Sequence, residues 1–289
     1  MTETIESVVV PLDGSDLGER VLPLAGSIAK RAGATLYLIT VVPGPADAAQ
    51  ITQASNDLRQ TSERAGVPGT PLVRAGTPAD QILEAAHRLP HPLVVMTTHG
   101  RSGTGRWFIG SVADRVVRGG EIPVLLLRSG MPAPTEPITI KRIMVPLDGS
   151  DYSEAALPIA EQIAVLFDAD VRLVRVAETG HLNAMFDTTL FPVPSDYITQ
   201  LARDLIASSA TYLAEITRQV QARGVRAETV NLHGFPTREL LAQEENEAID
   251  LVVMTSHARA RVGRIVYGSV AEQLLQHGQR PILFVHPAT

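Results

Sequence analysis

The chain has 289 residues, 45% of them hydrophobic and 19% charged, with a formal net charge of −6. At ~150 residues per domain this length holds about two globular domains. The acidic balance and the 4% aromatic content argue against a nucleic-acid partner, which calls for a basic footprint and stacking rings, and the absence of cysteine excludes disulfides, thiol chemistry and cysteine-bound zinc.

The N-terminal stretch MTETIESVVV has neither a basic region nor a signal-type apolar core. No apolar run approaches the ~18 residues that span a bilayer. A cytoplasmic protein with no membrane attachment is expected.

Ser7 to Leu12 (SVVVPL) is a β-branched run that predicts a first strand. The next segment, to Gly33, places Val21, Leu24, Ala25 and Ile28 on one helical face, with Pro23 disturbing the helix locally. TLYLITVV predicts a second strand, and the weakly apolar stretch ADAAQITQASNDLRQTSERAG a helix. TPLVRAG reads as a third strand, PADQILEAAHRL as a helix, PLVVMTT as a fourth strand, SVADRVVRGG as a helix and PVLLLR as a fifth strand. Strands alternating with helices predict a parallel sheet covered on both faces, which suits their continuous apolar character.

The pattern then repeats. Pro11, Asp13 and Val41 pair with Pro146, Asp148 and Val176, and further on His99, Gly110 and Ser111 pair with His257, Gly268 and Ser269. Domains are expected at 1–134 and 135–289, joined by the Pro-rich segment Ser129 to Thr139. The second copy carries an insertion, roughly GHLNAMFDTTLFPVPSD, read as an ordered surface excursion or a lid. It leads into a long helical pattern with Ile198, Leu201, Leu205, Leu213, Ile216 and Val220 on one face, ending at Gly224. The two apolar fifth strands are candidates to pair with each other as an internal pseudo-dimer, and a homodimer of the whole chain is a further expectation.

Between the fourth strand and its helix lie Gly100, Gly103, Gly105 and Gly110. Glycine costs backbone entropy, so such density suggests close approach to the main chain. In open parallel sheets ligands sit beyond the carboxyl ends of the strands, where strand order reverses. Asp13, in PLDGSD, leaves strand one; the Thr97–Ser111 loop leaves strand four. If those strands are neighbours, both features flank one crevice. The helix start at Gly110 and Ser111 favours an anion through its unpaired N–H groups and dipole. An ionised Asp13 only accepts hydrogen bonds, which suits a ribose hydroxyl or a base amine better than a phosphate.

With these residues in view, both copies resemble the universal stress protein family, over nearly the whole chain. The resemblance implies an α/β fold of two tandem, doubly wound, five-stranded parallel-sheet domains with strand order 3-2-1-4-5. It also implies an adenine nucleotide, ATP or a relative with or without Mg2+, in a regulatory rather than catalytic role. By that resemblance Asp13, flanked by Pro11 and Leu12, meets the adenosine part, and the main chain near Val41 the adenine. Gly100, Gly110, Ser111 and Val112 hold phosphate, with Thr97, His99 and Arg101 beside them. Pro146, Asp148, Val176, Thr255, Ala258, Gly268, Ser269 and Val270 are the corresponding positions of the second copy. The family's nucleotide-binding motif is Gly-x-x-Gly, nine residues, Gly-Ser/Thr. Here Thr97 replaces the first glycine, and in the second copy Thr255 and Ala258 replace both, so the first copy is the better candidate site.

Rival motifs fit less well. Arg106 and Trp107 stand where a P-loop needs Lys and Ser/Thr. The histidines show no metal-ligand spacing, and His99 and His257 read as turn residues rather than bases. Ser15 and Ser150 read as helix N-caps. Trp107 and Phe108 read as packing residues. Arg101, Arg106, Arg259 and Arg264 are either phosphate partners or solvated loop residues. Besides a nucleotide-binding regulator, a slow ATP hydrolase and an interaction module with empty pockets stay open.

Overall fold

The computed structural model describes residues 4–99, 109–119, 121–128, 130–131, 138–182, 194–256 and 268–286. Gly100, Arg101, Arg106, Trp107, Phe108, Ala258, Arg259, Arg264, most of the Pro-rich linker and most of the insertion lie outside these residues. The chain forms two compact units. Among the described residues, the first runs to Thr139 and takes in the segment from Gln279, while the second runs from Ile140 to Gly278.

In the first unit, β1 (Ser7–Pro11), β2 (Thr35–Val42), β3 (Thr70–Ala75), β4 (Pro92–Thr97) and β5 (Val124–Leu127) alternate with helices. They form a parallel sheet in the order β3-β2-β1-β4-β5. Every residue of β5 is buried, and so is all of β4 after Pro92; the edge strand β3 is only half-buried. β10 (Ile282–Val285), the last strand of the second repeat, also stands in this unit, antiparallel to β5 through Leu283 opposite Leu125.

Pro23 divides the first helical segment in two. α1 (Asp16–Glu19) stops short, and α2 (Leu22–Ala32) restarts with Pro23 in its first turn, where a missing N–H costs nothing. Gly33, at φ 66°, ends it. The weakly apolar stretch is a helix after all, α3 (Ala48–Ala65), started by a capping box between Asp47 and Gln50. α4 (Pro78–His87) and α5 (Ser111–Gly119) follow β3 and β4. The crossovers to β2 and β3 run one way along the sheet and those to β4 and β5 the other. Right-handed connections therefore place α2 and α3 on one face and α4 and α5 on the opposite face.

The second unit repeats the plan with β6 (Arg142–Pro146), β7 (Asp170–Ala177), β8 (Ala227–His233) and β9 (Leu251–Thr255), in the parallel order β8-β7-β6-β9. α6 (Asp151–Glu154) and α7 (Leu157–Phe167) follow β6, broken again ahead of a proline, Pro158. α8 (Ser195–Ala222), α9 (Pro236–Asn246) and α10 (Ser269–His277) complete it.

The expected apolar face of α8 needs one correction. Ser209, Leu213, Ile216 and Val220 are buried and Ile198 and Leu201 half-buried, but Leu205 is exposed. Leu205 stands about 80° around the helix from Leu213, but Leu201, about 120° around, is still half-covered, so the packing of neighbouring segments rather than periodicity sets which of them is buried.

Candidate functional site

β1 and β4 are neighbours at the reversal of strand order, so the segments leaving them meet at one end of the sheet. Leu12 still donates its N–H to Ile39 O at 2.8 Å, and Asp13 then leaves the sheet. Gly14 turns the chain at φ 77°, in the left-handed region that glycine enters without strain. Asp13 Oδ1 accepts both the Ser15 N–H, at 3.0 Å, and the Ser15 hydroxyl, at 2.6 Å. Ser15 Oγ in turn accepts the Gly18 N–H at 3.1 Å, as an N-cap of α1. The acid is thereby held in one orientation.

Across from it, Thr97 donates its hydroxyl to His99 O at 2.8 Å. Gly110 N donates to Thr98 O at 2.7 Å, and Asp114 N to Gly110 O at 2.8 Å, the first helical bond of α5. α5 therefore starts against the end of β4, with its first-turn N–H groups directed at this end of the sheet. His99 Nδ1 lies 3.2 Å from Thr98 Oγ1, and burial holds its pKa below the ordinary histidine value.

A cavity of about 260 Å³ opens between these segments. Nine of the residues singled out from sequence line it: Pro11, Leu12 and Asp13 at the exit of β1, Val41 from β2, Thr97 and His99 at the exit of β4, and Gly110, Ser111 and Val112 at the start of α5. Sequence reading missed Gly18, Ile39, Met96, Thr98 and Ala113, and also Pro78 and Ile82 at the start of α4. Two signals were available. Strand alternation puts Ile39 on the face of Val41 and Met96 on the face of Thr98. The rule that ligands gather at carboxyl ends of strands also covers the exit of β3, where α4 begins.

One expectation changes its cause. A Cβ on Gly110 would lie 2.9 Å from Thr98 O and 3.7 Å from His99 Cα. The close neighbour that demands glycine there is the chain's own backbone.

The second unit places Pro146, Asp148, Val176, Thr255, Gly268, Ser269 and Val270 at the matching strand ends and helix start. Asp148 Oδ1 accepts the Ser150 N–H at 2.9 Å and the Ser150 hydroxyl at 2.5 Å. Burial pushes the Asp148 pKa up, but hydrogen bonds involving Ser150, Ser153 and its own main chain outweigh this and leave it below the usual carboxylate value. Gly268 N donates to Ser256 O at 3.2 Å, which repeats the entry into α5.

The universal stress protein family model matches residues 4–128 and again 139–286. The chain belongs to the universal stress protein family. Its tandem pair of universal stress protein repeats is thus present in sequence and in fold. A universal stress protein of Methanocaldococcus jannaschii, MJ0531, is 30% identical over 146 residues, which is 50% of this chain and 81% of that one. Two solved structures share the fold across both repeats. A universal stress protein from Archaeoglobus fulgidus superposes with a TM-score of 0.65 at 17% identity, covering 98% of each chain. The protein PA1789 of Pseudomonas aeruginosa superposes with a TM-score of 0.70 at 16% identity, covering 98% of this chain and 93% of its own. No helix among the described residues is long and apolar enough to cross a membrane.

Proposed function

We propose that this universal stress protein binds an adenine nucleotide, ATP or a close relative, in the crevice of its first repeat and acts as a regulator with little or no turnover. The observation that carries this reading is the convergence of nine motif residues on one cavity, with a fixed carboxylate on one wall and a helix N-terminus on the other. Asp13 takes hydroxyls of the ribose as an acceptor. The apolar walls Ile39, Val41, Ile82 and Met96 suit a planar base, and the main chain at Val41 offers it hydrogen bonds. The N–H groups of Ser111, Val112 and Ala113, with the Ser111 hydroxyl, receive phosphate oxygens. The family motif assigns Gly100 and Arg101, outside the described residues, to the same phosphate, and any Mg2+ arrives with the nucleotide. The volume, about 260 Å³, falls just below the ~300–1,000 Å³ usual for ligand pockets, as suits a nucleoside whose phosphates lie across the helix start.

The same reading takes the repeats as domains, 1–134 and 135–289, in a cytoplasmic protein. It takes the antiparallel β5–β10 pair as the seam of an internal pseudo-dimer, with homodimers of the whole chain a further level of assembly. Calorimetric titration of the full chain with ATP tests it. Micromolar binding is expected, together with ATP left intact after overnight incubation with Mg2+. Steady hydrolysis would make the protein an ATPase. Absence of any titratable nucleotide, in solution or released from freshly purified protein, would make it an interaction module.

A further inference from the structure

We infer that the chain takes up a single nucleotide, in the first repeat, because the second repeat ties the matching groups to its own side chains. This rests on the nucleotide reading above. The motif already favours the first repeat, where one leading glycine is replaced and not two, yet Asp13, Val41, Gly110 and Ser111 all recur as Asp148, Val176, Gly268 and Ser269. The neighbours of those residues differ.

Gly18 lines the first cavity, and a Cβ there would lie 3.0 Å from Asp13 Oδ1. Its counterpart is Ser153, buried, whose hydroxyl accepts the Asp148 N–H at 3.2 Å and donates to Ser150 O at 2.9 Å. Leu17 becomes Tyr152, and its phenol oxygen is hydrogen-bonded to Ser256. Ser256 is fully buried and is the counterpart of Thr98, a lining residue of the first cavity. Thr40 becomes Arg175. That guanidinium lies over the Tyr212 ring, 4.7 Å from its centroid, and so close to Gly149 that a Cβ there would be 2.8 Å from it. The Tyr212 hydroxyl donates to Glu154 at 2.9 Å, completing a clamp on the turn that carries Asp148.

The rim differs too. Thr77 precedes the lining residue Pro78, whereas the second repeat has Phe235 there. Phe235 meets the His181 ring edge-on at 4.6 Å and packs so tightly on Gly180 that a Cβ there would sit 2.7 Å from it. A ligand entering the second repeat would have to break these contacts to form its own. It would exchange one set of hydrogen bonds for another with little net gain.

The test counts bound ATP per full chain by calorimetry. The wild type is expected to bind one. Ser111→Glu, which adds negative charge at an exposed helix start in the first repeat, is expected to abolish that binding at least a hundredfold while the fold persists. Tyr152→Leu combined with Ser153→Gly, which gives the second repeat the residues of the first, is expected to create a second, weaker site. Two ATP per wild-type chain, or one retained in Ser111→Glu, would overturn the inference and leave the nucleotide reading standing. A double variant with no second site would overturn the part assigned to Tyr152 and Ser153. No binding by any form would overturn the nucleotide reading itself, and the inference with it.

Discussion

The amide of Gly110 donates to the carbonyl of Thr98 at 2.7 Å, and this one bond closes the glycine-rich segment into a loop whose two ends touch. The carbonyl is so near that it would stand 2.9 Å from a Cβ at position 110. Gly110→Ala should therefore push the start of α5 away from β4. A stability loss of about 1–3 kcal/mol is expected, as for other overpacked sites, visible as a lower urea midpoint. Nucleotide affinity should fall at least tenfold. An alanine variant as stable as the wild type would show that the loop ends adjust freely. Gly110→Glu adds charge repulsion and should leave no measurable ATP binding.

Asp13 is fixed by Ser15 and faces the cavity. Asp13→Asn keeps the shape and removes the charge. A hydrogen bond to an ionised group contributes roughly 1.5–3 kcal/mol, so ATP affinity should fall by about 10–100-fold with little change in stability. Calorimetry on the variant checks this. Equal affinity would remove Asp13 from the ribose.

Ser15 works on both the helix and the acid. Ser15→Ala removes the cap of α1, worth about 1 kcal/mol in comparable caps, and takes the hydroxyl donor from Asp13 Oδ1 while the main-chain N–H of residue 15 stays. Thermal unfolding should shift down by a few degrees, and ATP should bind more weakly through the loosened carboxylate. Weaker unfolding resistance with unaltered affinity would assign Ser15 to the helix alone.

His99 gives a pH signature. Burial lowers its folded pKa below the unfolded value of about 6.5. Between those two values the unfolded chain binds more protons, so the free protein should lose stability as pH falls below about 6.5. A bound polyphosphate favours the imidazolium and raises the same pKa. ATP affinity should therefore increase as pH falls from 7.5 to 6, and His99→Gln should flatten that slope. Affinity independent of pH in the wild type would place the phosphates away from His99.

Much of this was legible along the chain. Period and turn chemistry located the strands and helices, and Asp13, Gly110 and Ser111 stood out because a turn, a glycine and a helix start are local features. Pro78 and Ile82 were legible as lining residues only through the rule that ligands gather at the carboxyl ends of strands. Nothing local to PADQIL marks them. Leu205 misled for a related reason: periodicity selects a face, but the neighbouring strands decide how much of it is covered. Gly110 was flagged correctly for closeness, yet its close neighbour is Thr98 O rather than a ligand.

The order of apolar and polar residues by itself determined two α/β repeats, because burial on both sheet faces and short-range backbone preferences are encoded residue by residue. Only the tertiary structure showed which residues line the crevice of the first repeat and what the matching groups of the second repeat touch. Asp13 and Asp148 sit in the same local motif. The change of Gly18 to Ser153 stands in the sequence, but the contacts of Tyr152 with Ser256 and of Arg175 with Tyr212 join segments far apart along the chain, which only folding brings together.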